Sequence, residues 1–320
     1  MKKGLLNVIV ISMVLAFAAS VMAMGSSQPS TYTKTKYPIM MVPGVLGFDK
    51  MLGVMDYWYK MPDTLKKDGA TVRCAELSPF NDNTIRGEQL LAQVKQYIAD
   101  TGASKVNIIS HSHGTTTSRY VVHMRPDLVA SLTTIAGPHG GTPVADFGAE
   151  LPGFLQDALF AAIDLVGGIT NFLSGMDYAN DTEALMEFFS HASIVQFNID
   201  YPSAGVPTTT CGNGAASEII NGNKIYYYSW TGSKPLTNVF DPLDALFTAL
   251  GAINTFYGNE AASDGFIPKC SAHFGTVLRD DYPWNHGDEI NHTLGVLGLM
   301  APDPVEVVRQ HANRLKNAGI

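Results

Sequence analysis

Ser112 sits in Lys105-Val-Asn-Ile-Ile-Ser-His-Ser-His-Gly114, where an apolar, β-branched run stops at a small-His-Ser-His-small pentapeptide and helix-forming residues follow. This is the pattern of a nucleophile elbow. A sharp strand-to-helix turn lifts one hydroxyl clear of the backbone and aims the first helical N–H groups at whatever that hydroxyl attacks. A serine hydroxyl is a weak nucleophile at neutral pH. It needs an imidazole to take its proton and a carboxylate to hold that imidazole in the right tautomer. For a serine on an elbow the chain order is serine, acid, histidine, with the acid ending a strand and the histidine in a loop near the C-terminus. Asp264 in Ala-Ala-Ser-Asp-Gly-Phe-Ile-Pro and His286 in Tyr-Pro-Trp-Asn-His-Gly-Asp-Glu meet that order.

Acyl transfer also needs two backbone N–H groups for the oxyanion, one after the nucleophile and one from the loop after an early strand. His113 supplies the first. Pro43-Gly44-Val45-Leu46-Gly47 offers the second at Val45, because Pro43 has no N–H and the glycines let the chain fold over the site. The competing arrangement is metal-dependent hydrolysis, with His111 and His113 as an H-x-H pair joined by a later histidine and Asp264. The elbow argues against it, since these histidines then flank an apex.

The elements that must carry these groups alternate. Tyr37–Val42 reads as a short strand, Gly87–Asp100 as a helix, the run before Ser112 as a buried strand, and Leu132–Gly137 as another. Strand, helix, strand, helix, strand points to a parallel sheet covered on both faces. Leu151–Leu173 breaks the rhythm with a strongly apolar helix flanked by Gly153 and by Gly167-Gly168. It reads either as a core helix or as a lid over an apolar pocket, hinged at the glycines.

Lys2 and Lys3, an apolar run from Gly4 to Ala19, and Val21-Met22-Ala23 form a secretory signal over residues 1–23, which places the mature N-terminus at Met24. No later segment reaches spanning length without interruption, so the mature chain is expected to be soluble. Residues 24–320 suit one domain. The chain carries 21 basic and 29 acidic residues, a formal charge of −8, and losing Lys2 and Lys3 makes it more acidic still. That surface argues against nucleic-acid partners. Of the three cysteines, Cys211 and Cys270 lie in loops and suit a disulfide, whereas Cys74 alternates within a strand-like Thr71–Leu77 and suits a buried, inert thiol. Three pairings remain open from sequence.

Seven segments together carry a resemblance: Gly-Val-Leu-Gly-Phe-Asp (44–49), Asp-Tyr-Trp-Tyr (56–59), Arg-Gly-Glu-Gln-Leu-Leu (86–91), His-Ser-His-Gly (111–114), Tyr-Tyr-Ser-Trp (227–230), Pro-Leu-Thr-Asn (235–238) and Arg-Gln-His-Ala-Asn-Arg-Leu-Lys-Asn-Ala (309–318). On these the chain resembles the secreted, foldase-dependent true lipases of the Pseudomonas and Burkholderia type, over nearly the whole mature length. The resemblance implies an α/β-hydrolase fold, with a mostly parallel central sheet, helices on both faces and a helical lid around residues 150–175. It implies hydrolysis of long-chain acylglycerols at a lipid–water interface, with a carboxylesterase or phospholipase as the near alternative. Its triad falls on Ser112, Asp264 and His286, its oxyanion donors on Val45 and His113, and its disulfide on Cys211 with Cys270. It adds one structural calcium ion, held by carboxylates of Asp241 and Asp288 and by backbone carbonyls of His292 and Val296. It further implies a monomer, a membrane-anchored periplasmic foldase and export through the type II secretion machinery.

The chain departs from that family at three places. Ser110 stands where the family has glycine, adding a Cβ at the strand–helix crossing. Pro43 stands where it has histidine, removing a side chain that could steady the oxyanion loop, and His292 stands where it has glutamine. A lipid-binding relative without turnover is the reading that the first two departures would favour.

Overall fold

Successive residues of the first strand, β1 (Ile39–Val42), are buried on alternate faces: Ile39 and Met41 join one apolar core, Met40 and Val42 another. A strand buried on both sides belongs in the middle of a parallel sheet. The computed structural model describes residues 29–52, 55–260 and 262–320. The expected signal at 1–23 lies outside the described residues. Thr31–Ile320 form one compact unit.

Seven strands make the main sheet. β1 lies between β4 (Val72–Cys74) and β5 (Val106–His111), followed by β6 (Val129–Ile135) and the long β8 (Asn223–Gly232). All of these pairings are parallel. The far side of β8 is shared: β7 (Ser217–Ile220) pairs antiparallel with its first half, β9 (Thr276–Tyr282) parallel with its second. A small hairpin, β2 (Lys50–Met51) with β3 (Met55–Asp56), stands apart.

One face of the sheet is covered by α1 (Met61–Lys67) through Met61 and Leu65, and by α10 (Pro304–Asn317) through Val305, Val308 and Ala312. The other is covered by α2 (Asn83–Thr101) through Leu90, Leu91 and Val94, and by α3 (His113–Met124) through Val121 and Val122. These are three- and four-residue spacings, the stripe of a helix lying on a core. α2 starts a turn before the helix read at Gly87 because the Asp82 carboxylate caps it, accepting from Thr84 N and Ile85 N. Gly87 lets α2 and α3 close, since a Cβ there would stand 2.4 Å from the Tyr120 ring. The architecture is therefore the mostly parallel sheet with helices on both faces that the alternation predicts.

After α4 (Pro143–Ala149) comes the apolar helix, α5 (Gly153–Ser174), then α6 (Thr182–Phe189), α7 (His191–Asp200), α8 (Pro242–Phe256) and the single turn α9 (His292–Gly295). Two expectations fail at α5. Gly167 and Gly168 do not flank it; they lie inside one unbroken helix of 22 residues. At Gly167 a Cβ would meet Phe80 and Asn180 at 2.7 Å, so this glycine serves close packing rather than a hinge. With no break at the glycines, α5 is long and apolar enough by length and composition to cross a membrane, contrary to the expectation for the mature chain. Phe154, Leu165 and Phe172 are largely exposed, while Ile163 packs into the apolar group over the elbow.

Candidate active site

β5 ends at His111, and the next residue turns the chain sharply. Ser112 has φ 54° and ψ −130°, a conformation that a residue with a side chain adopts at a cost and only where its surroundings hold it. The surroundings do so: Ser112 N donates to Ile135 O (2.9 Å), and Ser112 O accepts from Thr115 N and Thr115 Oγ1 (3.0 and 2.7 Å). Gly114 lets the first turn of α3 pass under the neighbouring strand, since a Cβ there would stand 2.5 Å from Pro43 O. Ser110 fits the crossing without displacing it; its hydroxyl donates to Thr133 O at 2.9 Å.

The three residues picked by chain order meet in one hydrogen-bonded line. His286 Nε2 lies 2.9 Å from Ser112 Oγ, and His286 Nδ1 lies 2.7 Å from Asp264 Oδ2. Asp264 is fully buried and its other oxygen, Oδ1, accepts from Phe266 N (2.8 Å) and Ile267 N (2.6 Å). A carboxylate that only accepts fixes the proton of His286 on Nδ1 and leaves Nε2 as an acceptor for the serine hydroxyl. The expectation that Asp264 ends a strand is not met. It lies in a tight turn after α8, where Ser263 bridges Pro268, and the two backbone donors rather than a sheet edge hold its carboxylate.

Gly44 approaches the nucleophile closely enough that a Cβ there would meet Ser112 Cβ at 2.6 Å. In the turn that it opens, Gly44 N donates to Tyr57 Oη (2.8 Å) and Leu46 N to Pro79 O (3.1 Å), while the Val45 N–H between them makes no hydrogen bond with a described residue and is available to a ligand. His113 is the first residue of α3, where backbone N–H groups have no intrahelical partner.

Three groups that the sequence reading passed over complete the site. Arg86, wholly buried, donates from Nη2 to Gly44 O (2.6 Å) and Pro43 O (3.1 Å), and from Nη1 to Pro79 O (3.4 Å) and to Ser78 O. It and Tyr57 hold the loop that Pro43 cannot hold through a side chain. Tyr57 Oη also lies 2.8 Å from His111 Nδ1, and His111 Nε2 faces Glu289 Oε2 at 3.4 Å. Burial, with the Asp264 charge nearby, pushes the Glu289 carboxyl well up, and Oε1 accepts from Gly232 N and Thr231 Oγ1. Burial and then His286 push His111 well down, so its ring is neutral. The motif segments containing Tyr57 and Arg86 were visible in sequence, but nothing in them says what they touch.

The H-x-H metal arrangement is not formed. His111 turns toward Trp58 and Tyr57, whereas His113 packs on Phe188 and Phe189 on the other side of the elbow. His111, His286 and Glu289 do bring ligand atoms within 4.8 Å of one another, but both nitrogens of His286 are committed to Ser112 and Asp264.

Of the residues expected at calcium, Asp241 caps α8, with Oδ1 accepting from Leu243 N at 2.8 Å. Asp288 Oδ2 accepts from Asn285 N at 3.1 Å, one residue before His286. Asp288 Oδ1 is buried with no hydrogen-bond partner among the described residues. Burial, with Asp244 and Asp241 nearby, raises the Asp288 carboxyl to about 7. Unpaired carboxylate oxygen among buried acids fits a hard divalent cation. His292 opens α9 and Val296 follows it. Cys211 and Cys270 are disulfide-bonded, with Cα atoms 4.5 Å apart. Cys74 is half-buried rather than buried; desolvation and the Asp49 carboxylate push its thiol well up, which keeps it unreactive.

Residues 37–168 match the family described as alpha/beta hydrolase fold. The chain is 44% identical to the triacylglycerol lipase of Vibrio cholerae serotype O1, over 98% of this chain and all of that one. It is 40% identical to the triacylglycerol lipase of Burkholderia plantarii, over 96% of this chain and 92% of that one. Among solved structures, the mature Bacillus licheniformis lipase BlEst2 shares the fold (TM-score 0.54, 19% identity, 81% of this chain and 89% of that one), as does the metagenomic carboxyl esterase MGS0156 (TM-score 0.57, 13% identity, 92% and 78%). With near-complete coverage at this identity, and an elbow, acid and histidine in the order that fold requires, the chain belongs to the triacylglycerol lipase family of α/β-hydrolases.

Proposed function

We propose that the protein is a secreted triacylglycerol lipase in which Ser112, His286 and Asp264 form the catalytic triad. The observation that carries this reading is the line from Ser112 Oγ through His286 to Asp264, set beneath the Val45 turn and at the N-terminus of α3. Ser112 Oγ attacks the ester carbonyl as His286 Nε2 takes its proton. The new C–O bond places negative charge on the carbonyl oxygen, which Val45 N and His113 N receive. His286 then returns the proton to the departing alkoxide. Water repeats the sequence on the acyl-enzyme, and Asp264 stabilises the imidazolium each time.

Calcium bound at Asp241, Asp288 and the carbonyls of His292 and Val296 would supply positive charge among buried acids. It would tie the start of α8 to the loop that presents His286. Secretion is supported by the residues of the leader and by the Cys211–Cys270 disulfide. A periplasmic foldase and type II export are the route that the family resemblance supports. The exposed apolar face of α5 supports a lid that opens at a lipid–water interface.

The test compares hydrolysis of a triolein emulsion with that of soluble p-nitrophenyl butyrate, with a serine-reactive phosphonate as control, an enzyme-free preparation as blank and Ser112→Ala assayed alongside. Phosphonate-sensitive turnover favouring the emulsion is expected. Turnover of the soluble ester alone would make the protein an esterase, and activity surviving in Ser112→Ala would sink the triad.

A further inference from the structure

Between the Val45 turn and His286 the wall over Ser112 is apolar and largely aromatic. Phe266 meets the His286 ring (centroids 5.4 Å apart), Phe189 meets Phe266 (6.2 Å), and His113 lies against Phe189 and Phe188 (4.9 and 5.6 Å). Val45 and Ile163 of α5 pack into the same group. This apolar group therefore links His286 to His113, the hydrogen-bond partner of Ser112 and the residue that follows it, and borders the position of an acyl chain esterified to Ser112.

One member of the wall is out of character. The His113 side chain is fully buried, yet neither ring nitrogen makes a hydrogen bond with a described residue. Buried polar groups are nearly always paired, and one left unpaired raises the question of what pairs with it when the site is in use. Burial, with Arg86 nearby, holds the imidazole well below its ordinary range, so the ring is neutral. A neutral imidazole has one N–H to give and one lone pair to accept, and a hydroxyl matches it with an acceptor and a donor of its own. His113 directly follows the nucleophile, so its side chain reaches an acyl chain only a few carbons from the ester carbonyl.

We propose that His113, besides its backbone role, is a specificity-determining residue that selects acyl chains bearing a hydroxyl close to the ester carbonyl, as in 3-hydroxyalkanoyl esters. This rests on the hydrolase reading above. A chain without the hydroxyl leaves both nitrogens unpaired in the complex; a chain with it pairs one of them, as donor or as acceptor according to which nitrogen it meets. The same hydroxyl placed far along the chain meets only apolar wall.

The experiment measures kcat/KM on p-nitrophenyl esters of octanoate, 3-hydroxyoctanoate and 7-hydroxyoctanoate, for the wild type and for His113→Phe, which keeps an aromatic ring against Phe188 and Phe189. In the wild type the 3-hydroxy ester is expected to match or exceed octanoate, with the 7-hydroxy ester well behind. In His113→Phe the 3-hydroxy to octanoate ratio is expected to fall about tenfold, the scale of one lost hydrogen bond, with the 7-hydroxy ratio unmoved. Working with ratios cancels any general loss of turnover. An unchanged 3-hydroxy ratio in an active variant overturns the inference alone. Should the variant not fold, the wild type decides: a 3-hydroxy ester cleaved no better than the 7-hydroxy ester overturns it. Folded wild type inert even toward octanoate overturns the hydrolase reading, and this inference with it.

Discussion

Arg86→Lys separates holding the oxyanion loop from simply filling the core. Arg86 spreads two nitrogens over four carbonyls, two in the Pro43-Gly44 turn and two in Ser78-Pro79. Lysine keeps the charge but offers donors from a single point and cannot span both pairs. Two charge-assisted hydrogen bonds are then lost, each worth about 1.5–3 kcal/mol, and because such losses are not additive the expected cost is about 3 kcal/mol of folding stability. The catalytic cost arises differently. With Pro43 and Gly44 released, Val45 N drifts from the developing oxyanion, and loss of one such donor costs about 100-fold in kcat or more. The fold around Ser112, His286 and Asp264 is untouched, so KM is expected to stay within about twofold. Urea denaturation and kcat on a soluble ester measure both. A variant that loses the stability but keeps wild-type kcat would refute the argument, since the turn would then hold its shape without Arg86.

Other expectations follow from particular groups. Burial, with Arg314 nearby, pushes His311 down to about 3 from an ordinary 6.5, and its Nε2 lies 2.7 Å from Thr133 Oγ1. The unfolded chain therefore binds a proton more readily than the folded one. This contribution is whole above pH 6.5 and is lost as pH falls toward 3, with a limiting slope of about 1.4 kcal/mol per pH unit. His311→Gln is expected to flatten the acid limb of stability against pH, and an unchanged slope counts against the assignment. The Cys211–Cys270 bond closes a loop of sequence separation 59, so the double serine variant is expected to lose about 4 kcal/mol; a loss below about 1 kcal/mol would mean that the loop is ordered without it. Chelation is expected to lower melting temperature and activity together, and Asp288→Asn to remove that sensitivity. Equal melting with and without chelator sinks the calcium site.

The readable parts of the sequence were those whose meaning is local or ordinal. The Ser112 elbow is a property of a few consecutive residues: a buried strand, a small residue, a serine and the start of a helix. Asp264 and His286 could be chosen because the fold dictates their order along the chain, and the cysteines because two of three lie in loops. Alternation of strand and helix gave the parallel first half of the sheet, since periodicities of two and of three to four residues are set by backbone geometry, but not the strands Ser217–Ile220, Asn223–Gly232 and Thr276–Tyr282.

What the chain order could not convey was who meets whom across long separations. Arg86 acquires its role only when α2 docks beneath a turn 42 residues earlier, and Glu289 only when the loop after His286 folds back against β8. Gly167 looked like a hinge because a glycine's freedom is visible in sequence, whereas the ring of Phe80 pressing on it is not. Cys74 sat in a strand as expected, but that strand lies at the edge of the sheet and the thiol is only half-buried. Propensity and motif act along the chain and can be read there; burial, pairing of polar groups and close approach depend on distances that exist only once the chain has folded.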